Sequence, residues 1–195
     1  MAHYFENDKN LKSHESEKQV IINQQAFSFL TDYGVFSKRG LDFGTRSLLE
    51  SLDINQIRGQ VLDFGCGYGP IAIYLKKMTS ADVDALDINQ RSLNLARKNA
   101  ILNGVDICFI ESNIYEKIDK KYDYIITNPP IRVGKKILYQ ILFEAKKYLK
   151  TKGELWIVVH KDQGAKSLLK DLEKSYQVEL ICKNKGFFII KAINN

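Results

Sequence analysis

No part of this sequence is apolar for long. Its longest uninterrupted apolar runs cover only residues 71–75, 155–159 and 187–190, whereas a helix needs about 20 apolar residues to cross a bilayer. The first eight residues also lack the basic-then-apolar order of a secretion signal. We therefore expect a cytoplasmic protein that has no membrane partner.

Cysteine and proline are scarce as well. Cys66, Cys108 and Cys182 stand far apart, which excludes the closely paired cysteines of zinc and redox motifs. We interpret them as buried or idle thiols in a reducing compartment, and we expect no metal site. With 12 glycines, 3 prolines and 45% hydrophobic residues, the composition is that of a globular chain. A length of 195 residues suits one buried core and is short for two domains.

Charge is unevenly distributed along the chain. Residues 1–131 contain 15 Lys or Arg and 17 Asp or Glu, whereas residues 132–195 contain 14 and 6. The two parts therefore carry net charges of −2 and +8, within the net +6 of the whole chain. The basic part permits a polyanionic partner, although a solvated lysine-rich helix surface would have the same composition.

Short apolar segments alternate with longer amphipathic ones, which predicts strands and helices in turn. Residues 1–17 are polar and predict a surface arm, and residues 20–29 alternate about positions 23–25, which predicts a small hairpin. Further strands are expected at 61–64, 83–86, 107–110, 124–127, 154–159, 178–182 and 187–191. Helices are expected at 42–52, 68–77, 90–103, 135–150 (stopping at Gly153) and 165–174.

The connections between these elements predict the sheet. The last two strands are joined by residues 183–186 alone, which are too few for a helical crossover, so these strands must be antiparallel neighbours. Helices separate the other strands and favour parallel pairing. We predict a single α/β domain, residues 1–195, with a mostly parallel seven-stranded sheet and an antiparallel C-terminal hairpin. Residues 41–195 form the catalytic core of this domain, and residues 1–40 form an arm and hairpin extension. Trp156 is interpreted as a residue of the buried hydrophobic core.

Three glycines mark the turn between the first strand of this core and its helix. Gly65, Gly67 and Gly69 follow Asp63, and Asp87 stands 22 residues after Gly65, at the end of the next strand. Glycines let a ligand approach the backbone closely, and an acid at that second position is expected to accept two ribose hydroxyls. A tight turn alone would also explain the glycines, and Asp87 could merely cap the following helix.

The spacing of the glycines bears on which cofactor the loop suits. A dinucleotide loop requires GxGxxG, but the sixth position counted from Gly65 is Pro70. Such a loop also places a pyrophosphate at the helix N-terminus. S-adenosylmethionine has no pyrophosphate, and it carries an ammonium for which Asp63 is a suitable partner, directly or through water. We therefore interpret the loop as a site for S-adenosylmethionine, which disfavours a nicotinamide dehydrogenase.

A rigid turn follows the fourth strand of the core, where Asn128, Pro129 and Pro130 come directly after Thr127. Two prolines remove two N–H donors and fix φ, so the carbonyls face outward. The side-chain oxygen of Asn128 and the carbonyl of Pro129 can accept both N–H bonds of a planar amine and aim its lone pair at a methyl donor. Alone, the motif would equally mark the end of a strand. After a cofactor loop, we interpret it as a catalytic corner that works mainly by positioning.

These segments together resemble the class I methyltransferases that have the small methyltransferase domain. Residues 3–5, 34–37, 41–44 and 65–70 resemble the C-terminal catalytic half of the ribosomal RNA small-subunit methyltransferase C family, and the resemblance spans nearly the whole chain. It implies a Rossmann-like class I methyltransferase fold and S-adenosyl-L-methionine as the cofactor. It also implies transfer to the exocyclic N2 amine of a guanine, with ribosomal RNA or a ribosomal subunit as the partner.

The resemblance also implies which residues form the site. The cofactor contacts implied are Asp63, Gly65, Cys66, Gly67, Gly69, Asp87, Ile88, Asn113, Ile114 and Asn128. The implied target pocket and catalytic corner consist of Asn128, Pro129, Pro130 and Ile131.

Two positions depart from the family pattern. Asn113 replaces the aspartate with which many relatives accept from the adenine amine, and an amide oxygen can accept without charge. Ile131 replaces the Tyr or Phe that often stacks on a flipped base, a contact worth about 1–3 kcal/mol. Phe36 is our candidate for the missing aromatic face, with core packing as the alternative. Longer members of the family also have an N-terminal duplicate domain, which these 195 residues do not contain.

Basic residues near the expected carboxyl ends of strands are candidates to hold RNA phosphates. They are Lys38, Arg39, Arg132, Lys135, Lys136, His160 and Lys161. Solvated surface charge is the alternative for each of them. His160 could act as a general base, but a single histidine at a strand end is usually structural, and an amine target does not require a base.

Our primary hypothesis is an RNA guanine-N2 methyltransferase. The alternatives are N-methylation of a glutamine amide in a protein, since that amide would fit the same corner, and methylation of a DNA adenine. A catalytically idle cofactor- or RNA-binding partner is a further alternative, against which the intact Asn-Pro-Pro sequence argues.

Overall fold

The computed structural model describes residues 14–32, 40–130 and 134–195. The strands in these ranges are β1 (Ser16–Ile22), β2 (Gln25–Thr31), β3 (Gln60–Phe64), β4 (Asp82–Asp87), β5 (Cys108–Glu111), β6 (Tyr122–Thr127), β7 (Leu149–His160), β8 (Gln177–Asn184) and β9 (Phe187–Ile193). The helices are α1 (Phe43–Ser51), α2 (Pro70–Met78), α3 (Gln90–Leu102), α4 (Gly134–Tyr148) and α5 (Ala165–Leu172), and a 3₁₀ helix covers Lys161–Gln163.

Seven of the strands form one sheet, in the order β5-β4-β3-β6-β7-β9-β8, while β1 and β2 form a separate hairpin. Strands β3 to β7 are parallel, and β9 is antiparallel to both β7 and β8. The predicted sheet, its antiparallel C-terminal hairpin and the small N-terminal hairpin are thus confirmed. The chain adds strands outward from β3 and then returns to place β6 on the other side of β3. Open α/β sheets bind ligands outside the carboxyl ends of the strands at such a switch point.

The central strands are buried on both faces. Val61 and Ile126 belong to a core shared with α1, α2, α3 and the hairpin, whereas Leu62 and Ile125 belong to a core shared with α4 and α5. Because successive side chains of a strand point to opposite faces, a continuous apolar run supplies both cores. Trp156 is 8% exposed and lies in the first core, as expected.

The helix after the glycines begins later than predicted. It was expected from Tyr68 and begins at Pro70, because Gly69 has a left-handed φ of 93° and Pro70 occupies the first helical turn. Proline is favoured in the first turn of a helix, where its missing N–H has no intrahelical partner to lose.

The predicted end of the fourth helix is wrong. The helix ends at Tyr148 rather than at Lys150, and β7 begins immediately at Leu149. Asn194 supplies the physical reason, because its side-chain amide bonds carbonyls on both sides of the junction between α4 and β7. Its Nδ2 donates to the carbonyls of Lys146, Leu149 and Lys150.

Two asparagine side chains, one in α3 and one at its C-cap, fasten the N-terminal hairpin to the sheet domain. Asn99 accepts from the N–H of Leu30 at 2.7 Å and donates to its carbonyl at 3.0 Å, and Asn103 forms the same two bonds with Ser28 at 3.2 and 2.7 Å. Four helical residues rise about 6 Å and two strand residues about 6.8 Å. Amides four residues apart on the helix therefore match alternate residues of β2.

An ion pair adds to this attachment. The Arg91 side chain of α3 binds the Asp32 carboxylate through Nε at 3.1 Å and through Nη2 at 2.6 Å. Asp32 follows β2 directly and is 5% exposed, so the pair is shielded from solvent on the aspartate side.

The described ranges contain no helix long and apolar enough to cross a membrane. In the same ranges, no three His, Cys, Asp or Glu side chains are grouped so that they could hold a metal ion.

We expect Asn99→Ala to lower the free energy of unfolding by about 1–3 kcal/mol, because it leaves buried main-chain groups without partners. Urea denaturation followed by circular dichroism measures the change. Asn94→Ala is the matched control, since Asn94 lies exposed on the same helix and its side-chain oxygen accepts from Arg97. Equal unfolding midpoints for the two variants would show that the amides do not stabilise the hairpin contact.

Candidate site for a cofactor and a target amine

The carboxyl ends of β3, β4 and β6 bring the predicted site residues to one edge of the sheet. Asp63 precedes the last residue of β3, Asp87 ends β4, and Asn128 directly follows β6. Asp63 pairs with Ile126 across β3 and β6, so the two strands end almost level. The hydroxyl of Thr127 donates to the carbonyl of Phe64 at 2.8 Å, which ties the two strand ends together.

The glycine loop folds over the end of β4. The N–H groups of Gly65 and Cys66 both donate to the carbonyl of Leu86 at 2.9 Å. Gly65, Gly67 and Gly69 have φ values of 71°, 56° and 93°, a region in which residues with a Cβ are strained. These conformations explain why the loop needs glycine; Gly65 is partly exposed, whereas Gly67 and Gly69 are buried.

The loop also lies against the Asn-Pro-Pro corner. A Cβ placed on Gly65 would lie 3.7 Å from Cδ of Pro130, which is ordinary van der Waals contact. The predicted cofactor loop and the predicted catalytic corner are therefore direct neighbours.

Asp87 is fixed by the backbone around it. One carboxylate oxygen accepts from the N–H of Gly67 and the other from the N–H of Asn89, both at 2.8 Å. The N-cap of α3 is Asn89, whose side chain accepts from Arg91 and Ser92, so capping does not account for Asp87. Asp87 is therefore held rigidly at the end of β4, where it is 2% exposed. Ile88 beside it is partly exposed.

Asp63 is fully buried, and its surroundings disfavour its charge. Burial raises its pKa to about 8, the hydrogen bond from the N–H of Ala72 opposes the rise, and the Asp87 carboxylate adds to it. One oxygen accepts from Ala72 at 2.9 Å, while the other has no hydrogen-bond partner within the described part of the chain. A cation near this second oxygen would favour the charged carboxylate, so the residue fits the ammonium of S-adenosyl-L-methionine.

Asn113 and Ile114 lie just beyond the end of β5. The N–H of Ser112 donates to the carbonyl of Asp87 at 3.1 Å, which places this turn beside the end of β4. Asn113 is exposed, and its Nδ2 donates to the Glu116 carboxylate at 2.7 Å. This bond does not use the side-chain oxygen of Asn113, which is an acceptor. Ile114 has a φ of 50°, an uncommon conformation for a branched residue and typical of functional turns.

Asn128 is held by two residues, the N-cap of α1 and a residue in the first turn of that helix. Its Nδ2 donates to the Thr45 hydroxyl at 2.9 Å and to the Asp42 carboxylate at 3.3 Å. The sequence interpretation missed both contacts. Asp42 lies in the 41–44 segment that carried the family resemblance, which was the available signal, whereas Thr45 had none.

The turn between β8 and β9 lies at the same edge of the sheet. Lys161 donates its N–H to the carbonyl of Gly186 at 2.7 Å, and the Phe187 ring packs on His160 at 4.8 Å and on Phe43 at 5.8 Å between centroids. Nζ of Lys185 lies 4.8 Å from the centroid of Phe43. The first turn of α1 and this basic turn are thus neighbours.

His160 has a structural role in this arrangement. It caps the 3₁₀ helix, with its Nδ1 accepting from the N–H of Asp162, and the N–H of His160 donates to the side-chain oxygen of Gln163 in return. This supports the structural interpretation of His160.

Five sequence-predicted substrate or corner residues lie outside the described residues: Phe36, Lys38, Arg39, Ile131 and Arg132. Segments 3–5 and 34–37 of the resemblance lie there too. Lys135 is exposed in the first turn of α4, with its Nζ 4.9 Å from the centroid of Tyr139. This turn follows the Asn-Pro-Pro corner after three residues of chain.

Comparison with known proteins agrees with this geometry. A family model described as methyltransferase small domain matches residues 26–191. The ribosomal RNA small subunit methyltransferase C of Haemophilus influenzae is 38% identical over 167 residues, which cover 83% of this chain and 49% of that protein. The uncharacterised protein YbxB of Bacillus subtilis is 37% identical over 195 residues, which cover 97% of each chain.

Among solved structures, a T. thermophilus 16S rRNA N2 methyltransferase in complex with AdoMet and guanosine superposes with a TM-score of 0.84 at 26% identity. The match covers 95% of this chain and 52% of that one. The chain therefore spans about half the length of the methyltransferase C relatives. The fold, the glycine loop and the family match lead to one conclusion: this chain belongs to the methyltransferase small domain family, and its cofactor is S-adenosyl-L-methionine.

Proposed function

We propose that this protein methylates an exocyclic amine of RNA, and that its target is the N2 amine of a guanine in ribosomal RNA. The observation that carries the proposal is the contact between the corner and the loop, where Pro130 Cδ lies 3.7 Å from the Cβ position that Gly65 leaves empty. An amine bound at Asn128 would therefore lie close to a methyl donor bound at the glycine loop.

Each cofactor-binding residue has a role that suits its surroundings. Asp63 would pair with the ammonium, Asp87 with the ribose hydroxyls, and Asn113 with the adenine amine through its side-chain oxygen. Gly65, Cys66, Gly67 and Gly69 would line the cofactor with backbone, and Ile88 and Ile114 with apolar surface. S-adenosyl-L-methionine supplies an electrophilic methyl group on a sulfonium.

The chain's own contribution to the reaction is positioning. The oxygen of Asn128 and the carbonyl of Pro129 accept the two N–H bonds of the target amine and thereby orient its lone pair. Pro130 contributes apolar surface beside the target, and Ile131, which lies outside the described residues, is predicted to do the same. No general base is needed before the transfer, because the methylated amine can release its proton afterwards to water. Correct placement of the reactants accounts for most of the rate enhancement.

RNA is the favoured substrate for two reasons. The methyltransferase C relatives are named for ribosomal RNA, and the T. thermophilus structure for an N2 position of 16S rRNA with bound guanosine. In addition, Lys161, Lys183 and Lys185 are exposed at the same end of the sheet as the corner, and no ion pair links them to a described acid. Lysines at this edge would neutralise phosphates that flank the target base.

The direct test is transfer of tritiated methyl groups from S-adenosyl-L-methionine into extracts of a strain that lacks the enzyme. Separate reactions contain small ribosomal subunits, naked ribosomal RNA, transfer RNA and protein. We expect nuclease-sensitive label in ribosomal RNA that digestion assigns to N2-methylguanine. Label confined to protein would overturn the proposal in favour of glutamine methylation.

We expect Asn128→Ala to reduce methyl transfer at least about 100-fold, because the target amine loses an acceptor that fixes its position. Affinity for S-adenosyl-L-methionine, measured by calorimetry, should stay within a few-fold of the original value. Asn94→Ala serves as the control for unrelated loss of an asparagine. If Asn128→Ala retains full activity, the positioning mechanism is wrong.

Asp63 makes the stability of the unliganded protein depend on pH. Its pKa is about 8 in the folded protein and 3.8 without burial, so between these values the folded state binds more protons and stability falls as pH rises. Asp63→Asn removes this loss. We therefore expect the difference in melting temperature, variant minus original protein, to be higher at pH 8 than at pH 5 by at least about 2 °C.

Asp106→Asn, at an exposed position, controls for the general loss of one carboxylate. Melting curves at the two pH values measure both variants. Curves for Asp63→Asn that run parallel to those of the original protein would contradict a raised pKa. Separately, Asp63→Asn should weaken cofactor binding if Asp63 pairs with the ammonium.

The exposed lysines Lys161, Lys183 and Lys185, which we call the basic edge, predict salt-dependent RNA binding. Replacing Lys183 and Lys185 together by Gln should weaken binding to ribosomal RNA and reduce the slope of log affinity against log salt by about 0.7 for each lost phosphate contact. The control replaces Lys121 and Lys152, which lie exposed near the opposite edge of the sheet. Filter binding at several salt concentrations measures both, and equal slopes would exclude this edge as the RNA contact.

A further inference from the structure

The amide of Asn128 is placed between two hydrogen-bond acceptors. Nδ2 lies 2.9 Å from the Thr45 hydroxyl oxygen and 3.3 Å from a carboxylate oxygen of Asp42. A carboxylate only accepts hydrogen bonds, and an amide nitrogen only donates them. Reversing the amide would place its oxygen against the carboxylate, so the orientation with Nδ2 toward α1 is strongly favoured.

We propose that Asp42 and Thr45 are positioning residues, which fix the Asn128 amide so that its oxygen faces the target. This inference rests on the proposed role of Asn128 in binding the target amine. Both N–H bonds of Asn128 are used inside the protein, so the corner presents acceptors only. The site therefore selects targets that donate N–H bonds, and a base edge that presents an acceptor at this point is disfavoured.

The fold holds Asp42 in place by a second bond. The same oxygen of Asp42 that accepts from Asn128 also accepts from the N–H of Thr45 at 3.0 Å, as the N-cap of α1. The start of the helix and the orientation of Asn128 thus depend on one oxygen atom. Thr45 is 3% exposed, so water does not readily replace its hydroxyl.

Packing from β9 fixes the same helical turn. A Cβ on Gly44 would lie 2.8 Å from the Phe187 ring and 3.1 Å from the Asp42 carboxylate. A side chain at position 44 would therefore displace either the ring or the carboxylate. Gly44 allows the first turn of α1 to lie close enough to β9 and to Asn128 for both contacts.

Thr45→Val and Thr45→Ser form the decisive pair of variants. Valine keeps the shape of threonine but removes the acceptor, whereas serine keeps the hydroxyl. Neither change affects the N-cap bond, because that bond uses the backbone N–H of Thr45. Asp42→Ser is a second probe, since serine still caps the helix but is too short to reach Asn128.

The first readout is independent of any reaction. In ¹⁵N-labelled protein, the side-chain amide signals of Asn128 are identified by their loss in Asn128→Ser. We expect slow exchange of these protons with water in the original protein and in Thr45→Ser. Exchange should be at least about tenfold faster in Thr45→Val, because one donor loses its protein partner.

The second readout separates positioning from binding. With ribosomal RNA as substrate, kcat of Thr45→Val should fall about tenfold, which corresponds to 1.36 kcal/mol. The affinity for S-adenosylhomocysteine and the KM for S-adenosyl-L-methionine should stay within twofold. Thr45→Ser should keep the kcat of the original protein. A loss of folding common to both variants would appear in their melting temperatures.

The outcomes distinguish this inference from the proposed function. Unchanged amide exchange in Thr45→Val, or unchanged kcat despite faster exchange, overturns the role of Thr45 in positioning. If the amide responds as expected but the original protein transfers no methyl group to RNA, the fixed orientation stands and the RNA substrate is wrong.

Discussion

The level ends of two adjacent parallel strands, β3 and β6, are the constraint on which the site depends. Asp63 pairs with Ile126 in their ladder, so the chain leaves both strands at nearly the same height. One exit forms the glycine loop and the other the Asn-Pro-Pro corner. A shift of one residue in this register would move the corner about 3.3 Å and turn its side chains to the opposite face. The bond from Thr127 to Phe64 secures the alignment.

The electrostatics of the site differ between its interior and its edge. Asp63 and Asp87 are buried at the strand ends, whereas exposed lysines occupy the turn between β8 and β9. A buried acid whose pKa is about 8 disfavours the unliganded protein near neutral pH, and a bound cation would relieve that penalty. Functional sites commonly retain such unfavourable groups. An acidic interior suits a cationic cofactor, and a basic edge suits a polyanion.

Local patterns predicted the elements that depend on short stretches of sequence. The order of strands and helices, the antiparallel C-terminal hairpin and the glycine loop all followed from spacing within a few residues of one another. The end of α4 could not be predicted in this way, because it depends on Asn194, which lies far along the chain and donates to carbonyls on both sides of the junction between α4 and β7.

The contacts of Asn128 were hidden for the same reason. Asn128 could be identified from its two prolines, but its partners Asp42 and Thr45 lie more than 80 residues away in sequence, with separations of 86 and 83. Their meeting depends on the packing of α1 beside the strand ends, which no local pattern expresses. Phe36 and Ile131 remain predictions.

The asparagines of α3 also determine how β2 can interact with other chains. A two-stranded sheet has two open edges, each a template on which another molecule can add a strand. On β2, residues 28 and 30 already exchange both backbone bonds with Asn103 and Asn99. A helix therefore occupies that edge as a neighbouring strand would, and it protects β2 there from intermolecular strand addition and from the aggregation that such pairing begins.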